Sequence, residues 1–184
     1  MDNIIDKTKK WVIDIYPNAA HLIRTIEWVS VLYPDADTPL LIAALTHDIE
    51  RAFKNDRNPP SPESKNAKWD DVVYNKWHGE RLAKIVKEYL AREGIQESVI
   101  GKVGQLIERH EVGGNPEADI LMDADSISFL ENNVEMFISW IPEKNTKNEI
   151  EAKFDYMYNR IVSQKAKIIA KPFFEKAISA LSKI

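Results

Sequence analysis

The chain has four histidines, His21, His47, His78 and His110, and no cysteine. His47 is followed directly by Asp48, and further down the chain the step Asp123-Ala124-Asp125 follows an apolar run. Neutral imidazole nitrogens together with carboxylate oxygens are a donor set that first-row divalent ions prefer, so the first chemistry these residue types suggest is a metal site. The histidines stand 26, 31 and 32 residues apart, and each interval is about one helix plus its connection. A helical bundle therefore has the means to gather all four around one point.

The elements that must do the gathering are read from apolar stripes at helical spacing. Trp11, Val12, Ile15 and Tyr16 form one stripe, broken at Pro17-Asn18. Leu22, Ile23, Ile26, Val29 and Leu32 form the next, ending at Tyr33-Pro34, with His21 and Arg24 three apart on one face. Pro39 is a good helix opener for residues 40–53, whose nearly continuous apolar character predicts a central buried helix with His47 and Asp48 in its C-terminal half. Residues 54–68 hold three prolines and mixed polar residues, and read as a lid or mobile loop. Helices are expected over 69–92, stopped by Gly94, and over 97–110, stopped by Gly113-Gly114-Asn115-Pro116. Another is expected over 116–140, with Asp123 and Asp125 in its first half, and two amphipathic ones over 145–163 and 172–184. No alternating strand pattern competes, so the fold class is an all-α, single-domain helical bundle over 1–184.

Composition narrows the function classes. A chain of 184 residues buries roughly two thirds or more of its unfolded surface without a staple. The lack of cysteine removes disulfides, thiolate zinc sites and cysteine nucleophiles. The net charge of -4 argues against a broad nucleic-acid surface, because phosphate neutralisation needs clustered Lys and Arg. A small phosphorylated ligand needs only a local cationic pocket. No apolar run approaches the ~18 residues of a membrane span, and the first ten residues lack the apolar core of a signal peptide, so a soluble cytoplasmic protein is expected.

The segments "HLIRTIEWV", "ALTHDIER", "WHGERLAKIV", "LIERHE" and "LMDADSISFLE" stand in an order and at spacings that put each on a different helix. In that order the chain resembles the HD superfamily of metal-dependent phosphohydrolases over about residues 18–135, with "SQKAKIIAKPFFEKA" similar to the tail helix of small HD proteins. The resemblance implies that His21, His47, Asp48 and Asp125 hold one cation. It implies that His78 and His110 serve a second metal, with Asp48 bridging, or contact a substrate phosphate. Asp125 rather than Asp123 matches the family's carboxylate, which leaves Asp123 a supporting or substrate-binding place. At Ser126 the family often has a basic residue, so a phosphate contact there is in question.

The implied cofactor is one or two divalent transition ions, Mn, Fe, Co, Ni or Zn, with coordination positions left for water and substrate. Such an ion lowers the pKa of a bound water toward ~7 and turns it into a nucleophile for phosphorus. Arg24 and Arg51 are the best candidates for planar phosphate recognition, and Lys167 and Lys171 are weaker ones. Arg24 is equally suited to a simple pair with Glu27. Glu50 and Glu80, near the ligands in sequence, read as acid or base groups or as surface charge. The sequence therefore predicts a metal-dependent phosphohydrolase of a small phosphoester, with a nucleotide as first candidate. The alternatives are a nucleotide-sensing module without catalysis and a di-iron oxygenase of the HD type.

Overall fold

The computed structural model describes residues 3–53 and 71–184, and among these every regular element is a helix. The first is α1 (Ile4–Ile15), opened by the Asn3 side chain accepting from the Ile5 N–H and ended just before Pro17. Next comes α2 (Ala19–Leu32), and then α3 (Thr38–Thr46), where the Asp37 carboxylate accepts from the Leu40 N–H and Pro39 sits in the first turn. Leu40, Ile42, Ala43, Ala44 and Leu45 of α3 are all buried, so this helix is apolar on every side and runs through the core. Burial of each large side chain among them stabilises the fold by about 1.5–3 kcal/mol.

The chain continues with α4 (Val72–Arg92), capped by Asp71, and α5 (Glu97–Arg109). These two pack closely: a Cβ added at Gly79 would lie 3.3 Å from the Glu108 backbone, so the lack of a side chain beside His78 lets the helices approach. Gly113 and Gly114 then take positive φ angles of 62° and 98°, and Asn115 caps α6 (Pro116–Asn132). A short α7 (Val134–Ile138) follows, then α8 (Lys147–Asn159) with a Thr146–Glu149 capping box, and α9 (Gln164–Ser182) with Ser163 at its N-cap.

Two apolar clusters result. One joins α1 to α5 with the first half of α6 through Ala118, Leu121 and Ala124. The other joins Ile127, Phe129 and Leu130 of the same helix to α7, α8 and α9. Asp125 and Ser126 fall where α6 passes from one cluster to the other, so a polar pair lies at the seam.

Three expected boundaries shift. The helix expected over 40–53 stops at Thr46; Asp48 takes φ -125° and ψ 5°, and a 3-10 turn covers Ile49–Ala52. The helix expected over 116–140 breaks at Asn133, which caps α6 and opens α7. The last helix begins at Gln164 rather than 172 and carries Pro172 inside it, because Ala166, Ala170, Ala177 and Leu181 are buried and outweigh one lost backbone hydrogen bond. The expected lid, residues 54–68, and the expected helix start at 69 lie outside the described residues. Among the described residues no helix is long and apolar enough to cross a membrane.

Candidate metal centre

The four histidines reach the seam from four helices, and each is anchored by the same ring atom. His47 and His110 stand just past the C-terminal ends of α3 and α5, and their Nδ1 atoms contact the carbonyl oxygens of Ala44 and Ile107 at 2.9 and 2.6 Å. A carbonyl only accepts, so Nδ1 carries the proton and Nε2 presents a lone pair. His21, in the first turn of α2, has Nδ1 at 2.8 Å from the Ser128 hydroxyl, whose own hydrogen goes to the His21 carbonyl at 2.8 Å. The hydroxyl therefore accepts from Nδ1–H, and again Nε2 is left bare. His78 on α4 sets its Nδ1 3.2 Å from the Glu50 carboxylate, which also takes Arg81 Nε at 3.0 Å. All four rings are buried with Nε2 as the available donor atom.

These donors form two triads. His21, His47 and Asp125 make one, and Asp48, His78 and His110 the other; within each, the ligand atoms lie within 4.8 Å of one another. In the first, Asp125 Oδ1 is 3.1 Å from His21 Nε2 and 3.3 Å from His47 Nε2, while the two Nε2 atoms are 3.4 Å apart. In the second, Asp48 Oδ1 lies 3.3 Å from His78 Nε2. Ring centroids of His47 and His110 are 5.6 Å apart and those of His78 and His110 5.5 Å, so the triads adjoin. Asp48 thus groups with His78 and His110 rather than with its neighbour His47. The end of α3 at Thr46 allows this, since the two residues no longer share a helix.

A divalent cation fits this arrangement. The Nε2 atoms of His78 and His110 are buried without a hydrogen-bond partner, because the carboxylate facing His78 is itself an acceptor. A buried acceptor left unmet costs roughly 1–3 kcal/mol, and a cation resolves several at once. The electrostatics agree. Burial works against the charged form of His47 and of His78, yet the carboxylates Asp125 beside the first, and Asp48 and Glu50 beside the second, raise both pKa values. Burial lowers the His110 pKa to about 4, which keeps that ring neutral and ready to coordinate. Each His also has the Nδ1–H anchor that commonly fixes a ligand's tautomer.

Two arginines neutralise the carboxylates. Arg160, at the end of α8, donates from Nε to the Ser126 hydroxyl at 2.8 Å and from its other nitrogens to Asp125 Oδ2 and Glu111 Oε2. Asp125 is thereby left with Oδ1 for the histidines. Its carboxyl lies well below the usual range: burial opposes ionisation, and Arg160 with His47 overcomes it. The same guanidinium, against burial, holds Glu111 near 2. Arg51 Nε meets Asp48 Oδ1 at 3.1 Å. A cavity of about 260 Å³ opens on these groups, lined by His21, Asp48, Asp125, Arg51, Glu111 and Arg160, with Tyr16 and Lys153 also on its wall.

Other expected residues serve elsewhere. The Arg24 guanidinium is taken by Glu131, at 2.7 and 3.2 Å, and by Glu27 at 2.6 Å, over the face of Trp28, so it is a fastening between α2 and α6 rather than a phosphate handle. Lys167 donates to the Tyr158 and Asn159 carbonyls at the end of α8, and exposed Lys171 pairs with Glu175. Glu80 is exposed beside Lys76, whereas Glu50 is buried and orients His78. Asp123 accepts the backbone N–H groups of Val162 at 2.6 Å and Ser163 at 3.0 Å, which pins the turn carrying Arg160. Sequence reasoning missed Glu111, Lys153, Arg160 and Tyr16. Glu111 had a local signal, its place next to His110; the other three are brought in by tertiary packing alone.

Residues 6–171 match the model of a family described as a domain of unknown function, DUF4202, and the chain belongs to that family. No curated protein and no solved structure matches it.

Proposed function

We propose that this DUF4202-family protein is a metal-dependent phosphohydrolase of the HD type that acts on a small phosphoester, with a nucleotide as first candidate. The observation that carries the reading is the gathering of four buried imidazoles and two arginine-neutralised carboxylates into two adjoining triads, beside a cavity that His21, Asp48 and Asp125 line. His21, His47 and Asp125 would hold one divalent cation, and Asp48, His78 and His110 a second. A bound cation of this kind supplies Lewis acidity to a phosphoryl oxygen and acidifies water.

The chain's own residues do the rest. Arg160 and Arg51 keep Asp125 and Asp48 ionised, and with Lys153 they place N–H donors on the cavity wall for phosphoryl oxygens, while the net positive charge would come from the bound cations. Burial, with Asp48 next, raises the Tyr16 phenol above its ordinary pKa, so it stays protonated on the cavity wall. The test is turnover of nucleoside mono-, di- and triphosphates after loading with Mn, Fe, Co, Ni or Zn, with chelator controls. Metal-dependent release of phosphate is expected. Tight metal binding without turnover of any phosphoester contradicts the reading and leaves a binding module.

A further inference from the structure

Two histidine-acid steps of the chain share one local build. His47 and His110 each stand one residue past a helix, with φ and ψ of -56° and -18° in the first and -59° and -26° in the second. Each turns Nδ1 back to the carbonyl three residues earlier, and each is followed at once by an acid, Asp48 or Glu111. On a continuing helix two successive side chains point about 100° apart. Here the helix has ended, so both members of a step can reach the seam. Asp48 already belongs to a triad, and Glu111 is its counterpart in the other step.

The surroundings of His110 show what Glu111 adds. In the second triad His78 Nε2 has Asp48 Oδ1 at 3.3 Å, but the carboxylate that faces His110 Nε2 is Glu111, whose Oε1 lies 3.6 Å away. That separation is too long for a hydrogen bond, and both atoms carry lone pairs, because the ring proton is on Nδ1. His110 is 1% exposed and its Nε2 has no hydrogen-bond partner. A cation between the two atoms answers this, as it does between His78 and Asp48.

Arg160 sets the direction of the Glu111 carboxylate. One terminal nitrogen of the guanidinium holds Oε2 of Glu111 and the other holds Oδ2 of Asp125. Oε1 is thereby left toward His110, as Oδ1 is left toward His21 and His47. One planar fork aims a carboxylate at each triad. Asp48 and Glu111 line the cavity, whereas His78 and His110 are buried and do not, so the second triad meets the cavity through these two acids.

Resting on the metal-dependent reading above, we propose that Glu111 is a fourth protein ligand of the second cation, joining Asp48, His78 and His110 through Oε1, and that Arg160 is the residue that positions it. Two imidazole nitrogens and two carboxylate oxygens suit a first-row divalent ion and leave positions for water.

The experiment titrates the full chain, stripped by chelator, with Co(II), read by calorimetry and by the visible absorption of the bound ion, which reports the donors around it. The unaltered chain is expected to take two ions. Glu111→Gln is expected to keep the first and to weaken the second at least about a hundredfold, with a changed absorption band. Glu111→Asp keeps the charge beside Arg160 but draws the oxygen back by one methylene, and a weakening of about tenfold with a changed band is expected. In a His78→Ala background, where the second site is already lost, Glu111→Gln should leave the remaining ion unaffected. Wild-type affinity and band in either Glu111 variant overturns the ligand assignment. Weakening of the remaining ion in the His78→Ala background does so too, and marks Glu111 as a counter-charge; both results leave the metal centre and the hydrolase reading in place. Should Glu111→Gln fail to fold, Glu111→Asp carries the test alone. Uptake of a single ion by the unaltered chain also overturns the assignment, and uptake of none removes the metal centre and with it the reading on which the ligand rests.

Discussion

The two triads hold the same donor types but are built to different stiffness. Asp125 sits on the buried α6, its Oδ2 gripped by Arg160, and its Oδ1 already meets both histidines of its triad. Asp48 stands on irregular backbone between α3 and a 3-10 turn, and its partner Arg51 is 42% exposed, against 7% for Arg160. In both triads bare Nε2 atoms face a carboxylate oxygen, so each set calls for a cation, and the two differ in the backbone that carries the carboxylate. The difference suggests a division of labour: a preformed first site, and a second site completed by what binds there.

The largest effect should come from breaking the stiff triad. Asp125→Ala removes a ligand and strands Arg160 and both histidines without their counter-charge. Loss of most bound metal and at least about a hundredfold fall in turnover are expected, with stability lowered by roughly 3–5 kcal/mol because a buried ion pair loses one partner. Elemental analysis and denaturant unfolding check both. In the second triad, His78→Ala and His110→Ala should cut turnover strongly while one ion per chain stays bound. Equal metal loss from the two triads would erase the distinction.

A smaller effect is expected one step out from the ligands. Glu50→Gln keeps the shape but weakens the hold on His78 Nδ1, and about a ten- to hundredfold loss of affinity for the second ion is expected, with the first unchanged. Titration with the metal reads this directly.

The smallest is a pH effect at Lys153. Burial lowers its pKa from the usual 10.5 to about 8. Below pH 8 the ammonium is charged in both folded and unfolded chains; between 8 and 10.5 the unfolded chain binds the proton more, so folding stability rises with pH there. Phosphate attraction moves the other way. KM for a phosphoester should climb as pH passes from 7 to 9, and the climb should vanish in Lys153→Met. An identical pH profile in that variant would remove Lys153 from substrate binding.

What was legible in the sequence was local or periodic. The apolar stripes gave α1 and α2, and Pro39 marked the start of α3. The four histidines were visible as a rare residue type at helix-length intervals, and Asp125 through the family resemblance of its segment. What was not legible depends on distant packing. Arg160 lies 35 residues from Asp125 and fills with its guanidinium the place beside Ser126, and no periodicity links them. The stop at Thr46 was hidden because no glycine or proline follows it through Phe53, so His47 and Asp48 were read as neighbours on one helix. Arg24 looked like a phosphate handle because Glu131, its actual partner, is 107 residues away.

The central claim is that the buried imidazoles exist to bind metal, and the most direct test is the metal content of the purified full chain. Elemental analysis should find up to two equivalents of a first-row transition ion, falling when His47 and Asp125 are replaced together by alanine and the chain remains folded by circular dichroism. Absence of metal after exposure to each of Mn, Fe, Co, Ni and Zn, or wild-type content in the double variant, would contradict the account.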